Sequence, residues 1–324
     1  MVIVSWNTRA LLDDALRSLL AETEGVTLEV IVVDNGSEDG TSDLVRARYP
    51  EVELLSLSTN LGFTGGNNRG FAVARGRHVL LLNSDTIVLP STVVPLVRFL
   101  DANPGAGCVG AKHLNADGSL QRSIDDVPDL VPDVLTYTEL IRLSPVERWL
   151  APRSAWWSDH EETQTVGWVN GACMMVRREV IEQVGGFDER LFIYGDEVDW
   201  CHRMALAGWT VHFLPESEVI HLGGQAMDKA ADRRARLLIE GNLHFYREHR
   251  PRWKEVSLRA VLVGTAAVRI AVLLGMAAAE CAGRRSSDRL WEIATREHVR
   301  TSYATMLRQW SRIMADCACV SGSP

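Results

Sequence analysis

At 324 residues, 46% of them hydrophobic and 23% charged, the chain has an ordinary globular composition and is long enough for one large domain with an appendage, or for two domains. Its formal charge of −8 argues against a general nucleic-acid binder, which would carry a basic face. Residues 246–324 nonetheless hold 13 Lys/Arg against 7 Asp/Glu, a balance of +6, and residues 1–245 carry −14. A basic tail on an acidic body suits an anionic partner such as a membrane surface, or plain solvation.

In chain order, residues 2–4 predict a short buried strand. Residues 9–22 predict a helix, with Leu11, Leu12, Ala15, Leu16, Leu19 and Leu20 at helical spacing. A strand at 28–33, a helix at 41–48 opened by Asp39, Gly40 or Thr41, a strand at 52–57, a helix at 67–75 and a strand at 78–82 follow. Strands alternating with helices imply parallel βαβ units and an α/β fold, in which ligands sit beyond the carboxyl ends of the strands. All four of those ends are polar: Ser5-Trp6-Asn7-Thr8, Asp34-Asn35-Gly36-Ser37, Thr59-Asn60-Leu61-Gly62 and Asn83-Ser84-Asp85. One such end is common turn chemistry; four in succession along one edge point to a nucleotide site.

Residues 104–165 are rich in Pro, Asp and Trp without clear period, and are expected to be a variable segment carrying substrate contacts. Beyond them a strand over 168–177, a helix through 184, a helix over 194–207 and strands at 210–214 and around 219–221 are predicted. Residues 256–283 are almost continuously apolar. On a helix, Arg259, Thr265, Arg269 and Glu280 share an arc of about 120°, which predicts an amphipathic helix with a wide apolar face. Spanning a bilayer would place Arg269 near mid-membrane at about 2.5–3.5 kcal/mol. Peripheral contact in the membrane interface is the favoured expectation, ahead of packing on the body.

The six cysteines (Cys108, Cys173, Cys201, Cys281, Cys317 and Cys319) show no zinc spacing and read as free thiols. They predict a cytoplasmic protein, with the apolar helix at the inner face of the plasma membrane. A strand already at residue 2 leaves no place for a signal peptide, and the start reads as clipped.

Four features carry chemistry. Asp85 follows four apolar residues, and its carboxylate at a strand end suits a divalent cation that neutralises a departing diphosphate; the small Ser84 allows a phosphate close approach. An Asp in such a turn also serves as a simple cap. The Asp196-Glu197-Val198-Asp199 cluster opens a helix, where acidic residues also favour the macrodipole. Asp196 and Glu197 differ by 100°, so only one faces the site, and an inverting transfer needs one general base. His221, ending a strand, could complete a metal shell through a neutral imidazole nitrogen, or be structural. The run Thr64-Gly65-Gly66-Asn67-Asn68-Arg69-Gly70 reads as a donor-rich turn opening a helix, which suits anions. It is not the dinucleotide glycine fingerprint.

These segments, in this order, resemble family 2 glycosyltransferases of the glycosyltransferase-A fold, in particular the bacterial rhamnosyltransferase-like branch. The matching text is Val2-Ile3-Val4-Ser5-Trp6-Asn7-Thr8, Val32-Val33-Asp34-Asn35-Gly36-Ser37-Glu38-Asp39-Gly40, residues 60–70, Leu82-Asn83-Ser84-Asp85-Thr86, residues 171–178, Gly185-Gly186-Phe187-Asp188-Glu189, the 196–199 cluster and His221. It covers residues 1 to about 245.

The resemblance implies a catalytic domain at 1–245, with a nucleotide-sugar half to about 103 and an acceptor half at 104–245; residues 246–324 form a basic helical extension. It implies Asp34 at the base or ribose, with Ser5, Asn7 and Asn60 lining the nucleoside pocket. Asn67 or Asn68 would lie near the sugar or phosphates, with Gly65 in the same run. Asp85 and His221 would hold Mg or Mn, Glu197 would be the base, and Trp168, Asn170 and Gly171 would shape the acceptor side. Two departures stand out: the usual Asp-x-Asp is Asn83-Ser84-Asp85, and the usual Glu-Asp is reversed to Asp196-Glu197, so either of that pair could be the base. The implied reaction is inverting transfer of rhamnose from dTDP-rhamnose to a lipid-linked or polysaccharide acceptor of envelope glycan synthesis. A UDP-hexose donor, a nucleotidyltransferase or a non-catalytic nucleotide-sugar-binding module are the rivals; Ser5-Trp6-Asn7-Thr8 lacks the glycines and lysine the second would want.

Overall fold

The computed structural model describes residues 1–21, 25–223 and 231–281. The chain divides into two compact units, one of residues 1–128 and 147–226, the other of residues 129–146 and 227–324. The second unit therefore takes in a stretch from inside the expected catalytic domain and starts before residue 246.

The first unit begins with β1 (Val2–Ser5), α1 (Arg9–Ala21), β2 (Ile31–Asp34), α2 (Thr41–Arg48), β3 (Glu53–Ser56), α3 (Gly62–Val73) and β4 (His78–Asn83). β5 (Thr86–Val88), α4 (Val93–Ala102), β6 (Ala106–Leu114), β7 (Leu120–Gln121) and β8 (Ile124–Asp125) follow. After α5 (Leu130–Tyr137) of the second unit, and α6 (Ser144–Leu150) across the boundary, come β9 (Gln164–Thr165), β10 (Trp168–Val169), β11 (Cys173–Arg177), α7 (Arg178–Val184), α8 (Asp196–Leu206) and β12 (Thr210–His221).

The main sheet runs β3-β2-β1-β4-β11-β6-β12-β5. β1, β2, β3 and β4 are parallel, in the registers Ser5↔Asp34 and Asp34↔Ser56, so three of the polar strand ends reach one edge together. β11 is antiparallel to β4 and β6, and β12 parallel to β6. The sheet is buried on both faces. One face packs Leu12, Leu16 and Leu19 of α1 with Leu96 and Leu100 of α4, and the other packs Phe71, Val180, Trp200 and Met204. Full burial explains why Ile31–Asp34 is an unbroken apolar run ending in a carboxylate.

Several expectations are corrected. The segment 104–165 contains β6, a nine-residue central strand whose interior is buried on both faces and so shows no period. The strand expected over 168–177 is two strands in different sheets: Asn170 Oδ1 accepts from the Ala172 N–H at 2.9 Å and turns the chain between β10 and β11. The two strands expected at 210–214 and 219–221 are one strand, β12, bulged between Leu214 and Glu218.

α3 starts at Gly62, not at 67, so the run 64–70 lies inside a helix rather than in a turn opening one. Its glycines serve packing, since a Cβ at Gly66 would lie 2.7 Å from Val4 Cγ1 and one at Gly70 2.3 Å from Val2 Cγ1. They let α3 press onto β1.

In the second unit, α9 (Ala231–His249) and α10 (Arg252–Cys281) accompany α5. Tyr246 donates to Asp133 at 2.6 Å, and Leu258, Leu262 and Ala266 of α10 are buried. Arg259, Thr265 and Arg269 of the polar arc of α10 are partly buried. Arg259 pairs with Glu255 at 3.0 Å, the Thr265 hydroxyl donates to Val261 O, and Arg269 reaches Glu139 at 2.6 Å. Trp253, Val256, Val268, Val272 and Leu274 are exposed instead, from 42% to 66%. Among the described residues no helix is long and apolar enough to cross a membrane. The Glu280 and Cys281 side chains, Cys317, Cys319 and the tail beyond 281 lie outside the described residues, as do 22–24 at the end of the first predicted helix. Cys108, Cys173 and Cys201 are buried free thiols.

Candidate active site

The first two strand ends lock onto each other. Asn7, in the left-handed region at φ 53°, donates its N–H to Ser37 Oγ at 2.9 Å and accepts from the Glu38 N–H at 2.8 Å. The buried Asp34 accepts from the Ser37 N–H at 3.0 Å and from the Ser42 hydroxyl, so the chain itself engages both of its oxygens. Ser5, Thr8 and Ser84 form a buried hydroxyl chain with both links at 2.9 Å, tying β1 to the turn after β4.

Asn60 accepts from the Asn35 amide at 3.0 Å and the Gly62 N–H at 2.8 Å, while Asn35 also donates to Gly62 O and accepts from the Leu61 N–H. Asn35 was not singled out from sequence, although it stands inside the second polar strand end; it holds the third end against the second. The candidate nucleoside residues thus form a rigid hydrogen-bonded rim.

The amides of α3 turn elsewhere. Asn67 is buried and donates to Phe63 O at 2.9 Å. Asn68 donates to Phe187 O and accepts from the Phe187 N–H, both at 2.9 Å, clamping the Gly186-Phe187 segment to α3. Gly65 is a buried helical residue.

Asp85 lies in the turn between β4 and β5, its carboxylate Oδ1 3.4 Å from His221 Nε2 at the end of β12. The antiparallel pairing of β12 with β5, His221 opposite Thr86, delivers the histidine there. Asn83 reaches His221 Nε2 with its amide at 3.5 Å rather than joining Asp85 as a second anion. His221 Nδ1 lies 2.7 Å from Gln121 Oε1 on β7. An imidazole nitrogen and a carboxylate oxygen on one side suit Mg or Mn, with the remaining positions open to phosphate oxygens and water. Among the described residues no third His, Cys, Asp or Glu joins them. Next to His221 sits His113, edge-on at 5.6 Å between ring centres, with both nitrogens buried and unpartnered. Burial, with the His221 charge adding to it, pushes its pKa down to about 3, so it stays neutral.

At the start of α8 the three carboxylates separate by role. Asp199 is buried in an ion pair with Arg203 at 2.7 Å, and Arg203 also donates to Val184 O and Gly186 O, so it is architectural. Asp196 is 1% exposed and lies against Glu197; burial and the adjacent Glu197 push its pKa well above the carboxylate range. Glu197 is half-buried and accepts from the Gly171 N–H at 3.2 Å. Burial raises its pKa, against the pull of backbone N–H groups and of the nearby His221.

A Cβ on Gly171 would lie 3.2 Å from Glu197 Cγ, so the glycine lets this carboxylate lie along the chain. Asn170 anchors the same loop by donating its N–H to Ser123 O, and Trp168 stands half-buried on β10 beside it. The Trp168–Gly171 loop and Glu197 come together; so do Asp85 and His221. Gln121 was missed from sequence: it sits in the aperiodic segment, one hundred residues from His221, and no spacing links them.

The family model described as "Glycosyltransferase like family 2" matches residues 1–238, and that described as "Glycosyl transferase family group 2" matches residues 158–320. The chain is 30% identical, over 83% of its length and 90% of the relative's, to the N-acetylglucosaminyl-diphospho-decaprenol L-rhamnosyltransferase of Mycobacterium tuberculosis. It is 24% identical to the rhamnosyltransferase WbbL of Escherichia coli, over 68% of this chain and 82% of that one. Among solved structures, the mannosyltransferase of Pyrobaculum calidifontis in complex with GDP-Man and Mn2+ matches at a TM-score of 0.56 and 18% identity, covering 98% of this chain and 85% of that one.

Proposed function

The chain belongs to glycosyltransferase family 2, and from that membership we propose that it moves rhamnose from dTDP-rhamnose, with inversion, onto a lipid-linked acceptor sugar of a cell-envelope glycan. The observation that carries the inverting part is the division between Asp196 and Glu197. The Asp196 carboxyl is sealed from solvent and pushed toward its protonated form, which suits it poorly to take a proton from a substrate, whereas the half-buried Glu197 beside the Gly171 loop is placed to do so. Glu197 is the general base. It takes the proton of the acceptor hydroxyl as that oxygen bonds to the anomeric carbon, while the bond from that carbon to the diphosphate oxygen breaks. One displacement of this kind inverts the configuration.

Asp85 and His221 are the residues that would hold Mg or Mn, which when bound neutralises the charge of the leaving diphosphate. Ser5, Asn7, Asp34 and Asn60 present the rim for the nucleoside; Asp34 positions that rim through Ser37 and Ser42. Trp168, Asn170 and Gly171 shape the acceptor side. The names of two relatives, both rhamnosyltransferases and one specific for a decaprenol-linked acceptor, support the donor and acceptor classes. The exposed apolar face of α10 supports peripheral contact with the membrane that carries such an acceptor, on its cytoplasmic side.

Thermal unfolding with Mn2+ tests the donor. A native-state ligand raises the unfolding temperature, so dTDP is expected to protect more than UDP, and preferential protection by UDP would assign a UDP-hexose donor instead.

A further inference from the structure

The histidine at the candidate cation site is held by a hydrogen-bond relay whose ends are fixed by groups of only one polarity. We infer that Gln121 is a positioning residue: through a relay anchored on backbone carbonyls it fixes the Nδ1–H tautomer of His221 and so presents the Nε2 lone pair to a divalent cation beside Asp85. The inference rests on the reading of Asp85 and His221 as a cation site.

The orientation of the Gln121 amide follows from its neighbours. One end lies 3.0 Å from the His221 backbone oxygen. A backbone carbonyl only accepts, so that end is the NH2 group. The same NH2 lies 3.0 Å from the Asn115 side chain, whose own orientation is fixed because its amide nitrogen donates to Leu120 O at 3.4 Å and to Ser119 Oγ at 2.9 Å. Asn115 therefore turns its oxygen to Gln121, and the two constraints agree.

The other end of Gln121 is an oxygen, 2.7 Å from His221 Nδ1. An amide oxygen cannot donate, so Nδ1 carries the hydrogen, and in the neutral ring Nε2 is bare. Nε2 faces Asp85 Oδ1 at 3.4 Å and the Asn83 amide nitrogen at 3.5 Å. A lone pair beside a carboxylate oxygen wants a cation between them. Asn83, uncharged and able to turn an N–H toward Nε2, fits the same polarity.

β7 pairs with β6 through His113↔Gln121, so the relay is part of the sheet rather than of a surface loop. Outer groups of this kind orient a metal-ligating histidine and raise its basicity, and losing one typically weakens metal binding by about 10–100-fold.

The test uses the full-length protein with 15N-labelled histidine, two-bond proton–nitrogen spectra at a pH where the ring is neutral, and a Mn2+ titration followed by broadening of the His221 signals. Wild type is expected to show Nδ1–H with a bare Nε2. Gln121→Met, which keeps the chain length and removes both ends of the amide, is expected to admit the other tautomer and to weaken Mn2+ binding by about 10–100-fold. Gln121→Glu still accepts from Nδ1–H and is expected to restore the tautomer, while its second oxygen, set against His221 O and Asn115 Oδ1 where the NH2 stood, keeps the Mn2+ affinity below that of wild type. An Nε2–H tautomer in wild type would overturn the inference, as would Gln121→Met binding Mn2+ within twofold of wild type. The tautomer spectrum needs neither donor nor acceptor, so failure of the proposed reaction leaves this result standing.

Discussion

The Asp85 carboxylate and the His221 imidazole meet at 3.4 Å, although 136 residues separate them in sequence, because β12 returns antiparallel to β5 and brings its last residue opposite Thr86. The strand pairing of the sheet thus sets the spacing of the pair. Asp85→Ala and His221→Ala are each expected to lower nucleoside diphosphate release by about 10²–10³-fold, the scale of losing one preorganised electrostatic group. Full turnover of both variants in excess chelator would remove the metal from the account.

Glu197→Gln is expected to lower transfer by about 10²–10⁴-fold while donor binding, read by thermal protection, is kept. Because burial raises the Glu197 pKa, the base form fills as pH rises. The wild-type rate with acceptor is therefore expected to climb through a midpoint above the ordinary carboxylate range. A midpoint at or below that range would contradict the assignment.

Asp196 gives a stability signature of defined sign. Its folded pKa is raised by burial and by Glu197, so the folded chain favours the protonated acid. That contribution is fully present below the unfolded value of about 4 and is lost as pH rises through the folded value. Asp196→Asn keeps a neutral side chain of similar shape. Its unfolding temperature is expected to fall less than that of wild type as pH rises above about 4, and parallel curves would show that Asp196 is ionised.

Gly70→Ala tests the contact of α3 with β1. The added methyl would meet Val2 Cγ1 at 2.3 Å, so a loss of about 1–3 kcal/mol in chemical denaturation is expected from overpacking. A neutral or stabilising result would mean that α3 does not press on β1.

The exposed apolar side of α10 predicts that Val268→Glu combined with Leu274→Glu weakens binding to liposomes. Turnover with a water-soluble acceptor analogue is expected to stay within twofold of wild type. Unchanged liposome binding would separate this face from the membrane.

The strand-end residues were legible because each follows an apolar run that a buried parallel strand requires: Asp34 after Ile31–Val33 and Asp85 just beyond β4. The family resemblance rests on the same residues. β6 was not legible, since a strand buried on both faces beside other strands has no alternation to read. The start of α3 was displaced because glycines signal turns, whereas here they fit a helix against Val2 and Val4.

The polar arc of α10 was recognised but its partners were not: Glu139, on a distant segment, pairs with Arg269. The family resemblance implied Glu197 as the base but the reversed order left Asp196 open, and the burial of Asp196 favours Glu197. Gln121 depends on pairing across one hundred residues, which no local pattern records.

The most direct measurement of the central claim is release of nucleoside diphosphate by purified wild-type and Glu197→Gln protein, given Mn2+, a panel of nucleotide sugars and a polyprenyl diphosphate-linked sugar as acceptor. The account predicts acceptor-dependent dTDP release from dTDP-rhamnose by wild type, with the product inverted at the anomeric carbon, and loss of that release in Glu197→Gln. Equal release by the two proteins, or a product of retained configuration, would contradict it.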